Sequence, residues 1–258
     1  MTLWQAFVLG LVQGLTEFLP VSSSGHLVLA ERLLGLESVG LSFEVWVHLG
    51  TLVAVGAALY RELLDMAAVF LPSADPARRR AGKRWWVAVL VGTIPAVVVG
   101  LAAKDAVETA FASVRVVGVN LIVTAAILFA SRFFRGGDAA VTPRRALLIG
   151  AAQALAILPG ISRSGATLTA GWMLGLSGPQ AARFSFLLAF PAILGAGVLE
   201  AQNLAAMDRP AVLAVSFLTA CVSGYAAIRM VWRVMAAGRL HWFAPYCAAV
   251  GTLVLFLA

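Results

Sequence analysis

Hydrophobic residues fall along this chain in blocks long enough to cross a bilayer, separated by short polar and basic stretches. A spanning helix needs about 20 mainly apolar residues, and six segments qualify: 42–60, 85–103, 115–131, 183–201, 211–232 and 242–258. Two further apolar stretches, 1–36 and 146–176, are each interrupted by Pro, Gly and serines, which stops a helix partway. Each is expected to enter and leave the membrane on one side, as a re-entrant helical hairpin.

Basic residues orient the spans. They cluster at Arg78, Arg79, Arg80, Lys83 and Arg84, at Arg132, Arg135, Arg144 and Arg145, and at Arg229, Arg233 and Arg239. Such clusters mark the inner side. Spans 85–103 and 115–131 then form an outward hairpin whose loop carries Lys104, Asp105, Glu108 and Arg115, while Asp208 and Arg209 lie outside. Both termini are expected on the outer side.

The two interrupted stretches resemble each other. Aligned without a gap at an offset of 140, Gly10–Leu36 and Gly150–Leu176 agree at Gly10, Gln13, Leu15, Ser22, Ser24, Gly25, Ala30, Leu34, Gly35 and Leu36. Each half, 1–131 and 146–258, thus reads as one hairpin followed by three spans. An odd number of spans inverts the second half relative to the first. The expected fold is an all-α integral membrane protein: six transmembrane helices plus two re-entrant hairpins in an inverted-topology repeat, with a polar site near the midplane.

Composition supports this reading. Of 258 residues, 61% are hydrophobic and 12% charged, against roughly 25% charged in soluble domains. The net charge of +7 sits in inter-span clusters, which fits orientation at a lipid surface and not nucleic-acid binding. Cys221 and Cys247 lie in apolar runs without metal or disulfide spacing. The first segment has no basic leader pattern, so it is expected to remain in the mature protein.

Candidate chemistry gathers at the two interruptions. Gln13 and Glu17, four residues apart, share a helix face. Pro20 ends that helix, and Ser22, Ser23 and Ser24 are expected to cap a second one starting near Gly25, whose free amides form an anion site beside His26. The second interruption carries Ser162, Arg163, Ser164 and Thr167, with Arg163 at the position of Ser23. Glu17 and Arg163 are costly in apolar surroundings and are therefore the strongest functional candidates. His48, Asn120, Gln153 and Gln202 are expected to serve packing or interhelical hydrogen bonds, and Trp85, Trp86 and Trp242 to anchor at the interface.

The segments QGLTEFLPVSSSGH (Gln13–His26) and PGISRSGAT (Pro159–Thr167) closely resemble the two signature motifs of the undecaprenyl diphosphate phosphatase family, of the bacitracin-resistance type. Gln13 takes the amide alternative to a carboxylate, and Ser24 stands where threonine is common. The resemblance implies hydrolysis of undecaprenyl diphosphate to undecaprenyl phosphate at the outer face of the bacterial cytoplasmic membrane. That reaction recycles the peptidoglycan carrier lipid and confers resistance to bacitracin, which competes for the same lipid. It further implies Glu17, Ser23, His26 and Arg163 as catalytic residues. Ser22, Ser24, Gly25, Ser162, Ser164 and Thr167 would contact phosphate, and a divalent cation, Mg2+ or Ca2+, would sit at Glu17 and Gln13. A homodimer is left open by the many small residues in the spans.

The expected mechanism has Ser23 attacking phosphorus while His26 or Glu17 takes its proton, with direct attack by water as the internal rival. A lipid flippase or secondary transporter could use the same inverted-repeat site, and a purely structural scaffold is the remaining reading.

Overall fold

The computed structural model describes residues 1–36, 39–111 and 113–257, without the side chains of Lys104 and Glu108. Those two side chains of the expected charged loop, and residue 258 of the last expected span, lie outside the described residues. In chain order the helices are α1 (Leu3–Phe18), α2 (Ser23–Leu33), α3 (Leu41–Ala58), α4 (Tyr60–Ala67), α5 (Pro76–Ala102), α6 (Lys104–Phe111), α7 (Val114–Ala130), α8 (Pro143–Leu155), α9 (Arg163–Met173), α10 (Gly178–Leu199), α11 (Ala201–Ala205), α12 (Pro210–Ala236) and α13 (Ala244–Leu257).

Six helical segments are long and apolar enough to cross a membrane: Leu41–Ala58, Pro76–Ala102, Val114–Phe133, Gly178–Leu199, Pro210–Ala236 and Leu240–Leu257. They coincide with the six expected spans. Two run further than their apolar cores. The α5 helix begins at Pro76, two turns before the apolar residues, because Asp75 accepts from the Ala77 amide and Pro76 suits the first helical position. The first basic cluster therefore rides on a helix instead of a loop. Likewise α12 continues through Arg229 and Arg233 to Ala236, where cations suit a helix C-terminus.

Large apolar side chains such as Leu90, Val98, Leu101, Val198, Leu199 and Val222 stand exposed on the outside, a surface matched to lipid tails. The interior is also packed. Phe18, Phe184 and Phe186 are fully buried, and Phe18 meets Phe186 edge-on at 5.3 Å.

The broken segments pack across the two halves. The α1 helix lies on α12 and α8 lies on α5, while α7 pairs with α13 and α3 with α10 and α12. At about 24 and 20 Å, α1 and α8 are each shorter than a ~30 Å hydrocarbon core. Their closest approaches use one repeat position: Gly10 abuts the Ser216 carbonyl of α12 and Gly150 the Gly92 carbonyl of α5. Any Cβ at either glycine would overlap backbone, so small residues there are a packing requirement.

Replacing Gly10 or Gly150 by Val is expected to cost about 1–3 kcal/mol, read as a lowered thermal midpoint in detergent. Gly195→Ala, where a Cβ meets open space, is expected not to lower it.

Candidate active site

The end of α1 is set by sequence. Leu19 is extended (φ −62, ψ 140) and Pro20 follows it, so the helix stops at Phe18, one residue after Glu17. The chain then turns through Ser22 in a left-handed conformation, φ 71 and ψ 97, which a non-glycine residue adopts only at a cost of about 1–3 kcal/mol. The α2 helix starts at Ser23, two residues ahead of the expected start near Gly25. Ser22 gives it no side-chain cap, so the first-turn amides of α2 keep their capacity to bind an anion.

The second interruption is built differently. The left-handed residue there is Gly160 (φ 90), and α9 starts at Arg163 with Ser162 Oγ accepting from the Gly165 amide at 3.0 Å. Two residues of α7 clasp this loop: Asn120 Nδ2 donates to the Pro159 carbonyl at 2.7 Å and Thr124 Oγ1 to the Gly160 carbonyl at 2.9 Å. Thr124 Oγ1 also accepts from the Ser162 amide. The expectation that Asn120 serves hydrogen bonding between elements is met.

The two interruptions meet at Glu17. Its Oε1 accepts from Arg163 Nη2 at 2.6 Å, and its Oε2 accepts from Ser23 Oγ at 2.6 Å and Gln13 Nε2 at 3.0 Å. The side chain of Glu17 is 6% exposed and that of Arg163 17%. A carboxylate so placed needs paired charge to stay ionised in apolar surroundings. Ser164 Oγ adds a stitch to the Leu19 carbonyl at 3.1 Å.

A fourth partner was not assigned to the site by sequence. His48 Nε2 stands 3.4 Å from Glu17 Oε2, while its Nδ1 bonds the Glu44 carbonyl at 2.7 Å. With a carbonyl at one nitrogen and a carboxylate at the other, the ring can donate from both, as an imidazolium does. The packing or interhelical hydrogen-bonding role expected for His48 thus takes the interhelical form, with the central carboxylate of α1 as the partner. Its only sequence signal was a polar residue inside a span, shared with many packing residues. Gln153, expected to pack, is buried with both amide atoms unpartnered among the described residues, and Gln202 stands exposed in α11.

Arg163 is held from behind. Its Nη1 donates to the Ser185 carbonyl of α10 at 3.3 Å, and Thr167 Oγ1 joins the Arg163 carbonyl at 2.8 Å to Ser185 Oγ at 2.6 Å. Thr167 therefore ties the α9 backbone to α10, and Ser185, whose carbonyl holds the guanidinium, is a supporting residue the sequence did not mark.

His26 is placed elsewhere. Its Nδ1 bonds the Ser22 carbonyl at 2.8 Å and its Nε2 the Tyr246 hydroxyl at 2.8 Å, with the ring stacked on Tyr246. A carbonyl can only accept, so Nδ1 carries a proton and donates. His26 is absent from the cavity wall and holds the strained Ser22 turn against α13.

The cavity itself, about 310 Å³, has a polar floor of Glu17, Ser22, Ser23, Ser24, Ser162 and Arg163. His48 and Glu44 close one side, and apolar residues including Ile157, Ile161 and Ile193 form the remaining wall. Gly25, Gln13, Ser164 and Thr167 lie behind this floor and do not line it. Around Ser23 stand a hydroxyl, a carboxylate within 2.6 Å and a guanidinium on that carboxylate's far oxygen, a set of groups able to support nucleophilic attack on an anionic centre. Among the described residues no group of three or more His, Cys, Asp or Glu could hold a metal by itself.

Comparison with known proteins identifies the family. The family model described as bacitracin resistance protein BacA matches residues 6–253. A protein of Methanosphaera stadtmanae named undecaprenyl-diphosphatase is 39% identical over 268 residues, covering 98% of this chain and 97% of that protein. Proteins of the same name from Desulfosudis oleivorans and Korarchaeum cryptofilum are 43% and 40% identical, the first over 98% of this chain and 97% of its own length, the second over 100% of both. The chain belongs to the BacA family.

Proposed function

We propose that this protein hydrolyses undecaprenyl diphosphate to undecaprenyl phosphate and inorganic phosphate. The observation that carries the reading is the line Ser23–Glu17–Arg163, assembled from two distant segments at the floor of a cavity with apolar walls. The name shared by its relatives agrees with that chemistry. Regeneration of the carrier lipid would account for bacitracin resistance, since the antibiotic sequesters the same diphosphate.

The diphosphate would lie on the polar floor with its prenyl chain along the apolar wall. Arg163 and the uncapped amides of α2 would neutralise the phosphate oxygens. Ser23 Oγ would form a bond to the terminal phosphorus as its proton passes to Glu17 Oε2, and the bridging P–O bond would break to release the lipid monophosphate. Water would then cleave the phosphoserine, giving inorganic phosphate and restoring the hydroxyl. His48, fixed on the Glu44 carbonyl, would keep Glu17 oriented toward Ser23.

A divalent cation fits this floor only together with substrate. Glu17 is the carboxylate on the floor, with Glu44 at the cavity's side; Gln13 Oε1 is buried without a hydrogen-bond partner among the described residues, and Mg2+ is commonly held by one or two carboxylates plus phosphate oxygens. When bound, the ion would supply charge neutralisation on the diphosphate.

The membrane arrangement belongs to the same proposal. Helices α1 and α8 are too short to span alone, and the repeat-related Gly10 and Gly150 make matching contacts on α12 and α5. Both features support two re-entrant hairpins in inverted halves. The site and both termini would then face outward from the cytoplasmic membrane.

Phosphate release from a C55 diphosphate in detergent with Mg2+ or Ca2+ tests the reading. The intact protein is expected to be active, with Glu17→Ala, Arg163→Ala and Ser23→Ala each lowering kcat by at least about 100-fold. No release by intact protein at any divalent concentration contradicts hydrolysis, and full activity in Ser23→Ala contradicts the covalent route. His48→Ala is expected to lower kcat/KM by roughly 10- to 100-fold, the loss of one hydrogen bond to a charged group. His48→Gln, which can still donate to Glu17, is expected to recover most of that loss, and equal losses in the two variants would contradict the orienting role.

A further inference from the structure

We propose that a second cavity, at the opposite end of α3 and α10 from the catalytic floor, binds a phosphate-bearing anion, with the headgroup of an anionic membrane lipid as its source. The two cavities share these helices. Leu41, Glu44 and His48 of α3 and Ala192 to Ala196 of α10 reach the catalytic cavity, whereas Ala58, Pro179 and Arg183 reach the second one. Along α3, from His48 to Ala58, the separation is about 15 Å.

Four guanidiniums, those of Arg61, Arg183, Arg229 and Arg233, line this cavity of about 570 Å³, with Glu62 as the one carboxylate among its lining residues. Glu62 pairs with Arg183 at 3.3 Å. Arg61 Nε donates to the Tyr60 hydroxyl at 2.9 Å and Arg229 Nη1 to the Tyr225 hydroxyl at 3.4 Å. Those bonds orient the guanidiniums without neutralising them. Arg233 has no side-chain acceptor among the described residues.

Arginine at a membrane surface is ordinary, and Arg229 and Arg233 sit where a helix C-terminus favours cations. Arg61 and Arg183 do not have that explanation. Arg61 is the second residue of α4, and Arg183 lies in the second turn of α10. Neither helix has a side-chain cap. Arg61 places positive charge at the positive end of a helix dipole, which is unfavourable until an anion joins it, and Arg183, one turn further in, shares the single lining carboxylate with the other three arginines. Four cations and two uncapped helix starts therefore converge with one carboxylate to balance them. Tyr60 and the half-buried Trp232 border the cavity, and such residues favour headgroup depth. That is the reason for choosing a lipid over free phosphate.

The test uses the full chain purified in detergent and its R61Q/R233Q variant, neither residue being part of the catalytic floor. Native mass spectrometry would compare retention of phosphatidylglycerol and phosphatidylcholine, and calorimetry would titrate inorganic phosphate. The intact protein is expected to retain phosphatidylglycerol in preference, and the variant to bind it about 25-fold more weakly, roughly fivefold per arginine. Phosphate binding that is likewise lost in the variant, without any lipid preference, supports the anion site and names free phosphate as its source. Equal binding by both proteins in both arms, or no preference for phosphatidylglycerol together with no phosphate binding, overturns the proposal. Should the double variant lose its thermal midpoint, R229Q reads the same site with about a fivefold effect.

Discussion

A carboxylate buried in an apolar helical bundle is stable only beside compensating charge, and the Glu17–Arg163 pair supplies it from positions far apart in sequence. Much of the local architecture follows from that need. The break after α1 and the break before α9 must face each other for the pair to close. Asn120 and Thr124 hold the second loop at the required depth. Ser164 ties it to the Leu19 carbonyl of the first, and the Ser185 carbonyl accepts from the free side of the Arg163 guanidinium. Backbone groups left without helical partners at the second break are satisfied by these side chains.

The two interruptions share a sequence pattern and have divided the chemistry. Glu17 is matched by Ile157, Ser23 by Arg163 and His26 by Ala166. Their helix starts have diverged as well. Ser162 caps α9 from within, which closes that start, whereas Ser22 is turned into a strained conformation and leaves the start of α2 open. One copy became a rigid support carrying a cation. The other carries the Ser23 hydroxyl, the Glu17 carboxylate and a helix start without a side-chain cap.

The six long apolar helices were legible because apolar length is a direct physical requirement for crossing a bilayer. Glu17 and Arg163 were legible for the converse reason, the cost of charge in that setting. What sequence did not carry was orientation. His48 looked like any polar residue within a span, and only the packing of α3 brings its ring to Glu17. His26, adjacent to the serines, reads as a site residue, yet helix geometry turns it to Tyr246 of α13. Ser185 and Thr124 have no signal beyond a hydroxyl in an apolar run, since their roles exist only once the loop they hold is in place. The extra turns of α5 and α12 were missed because hydropathy marks the membrane-embedded part of a helix and not its polar ends.

One ion pair, Glu17–Arg163, joins the two interruptions and builds the site, and an unfolding double-mutant cycle on Glu17→Gln and Arg163→Gln reads its strength. Each single variant strands a buried charge and is predicted to lose about 3–5 kcal/mol. The double variant should lose less than the sum, leaving a coupling of about 1.5–3 kcal/mol. Losses that simply add, with no coupling between the two positions, would contradict the account.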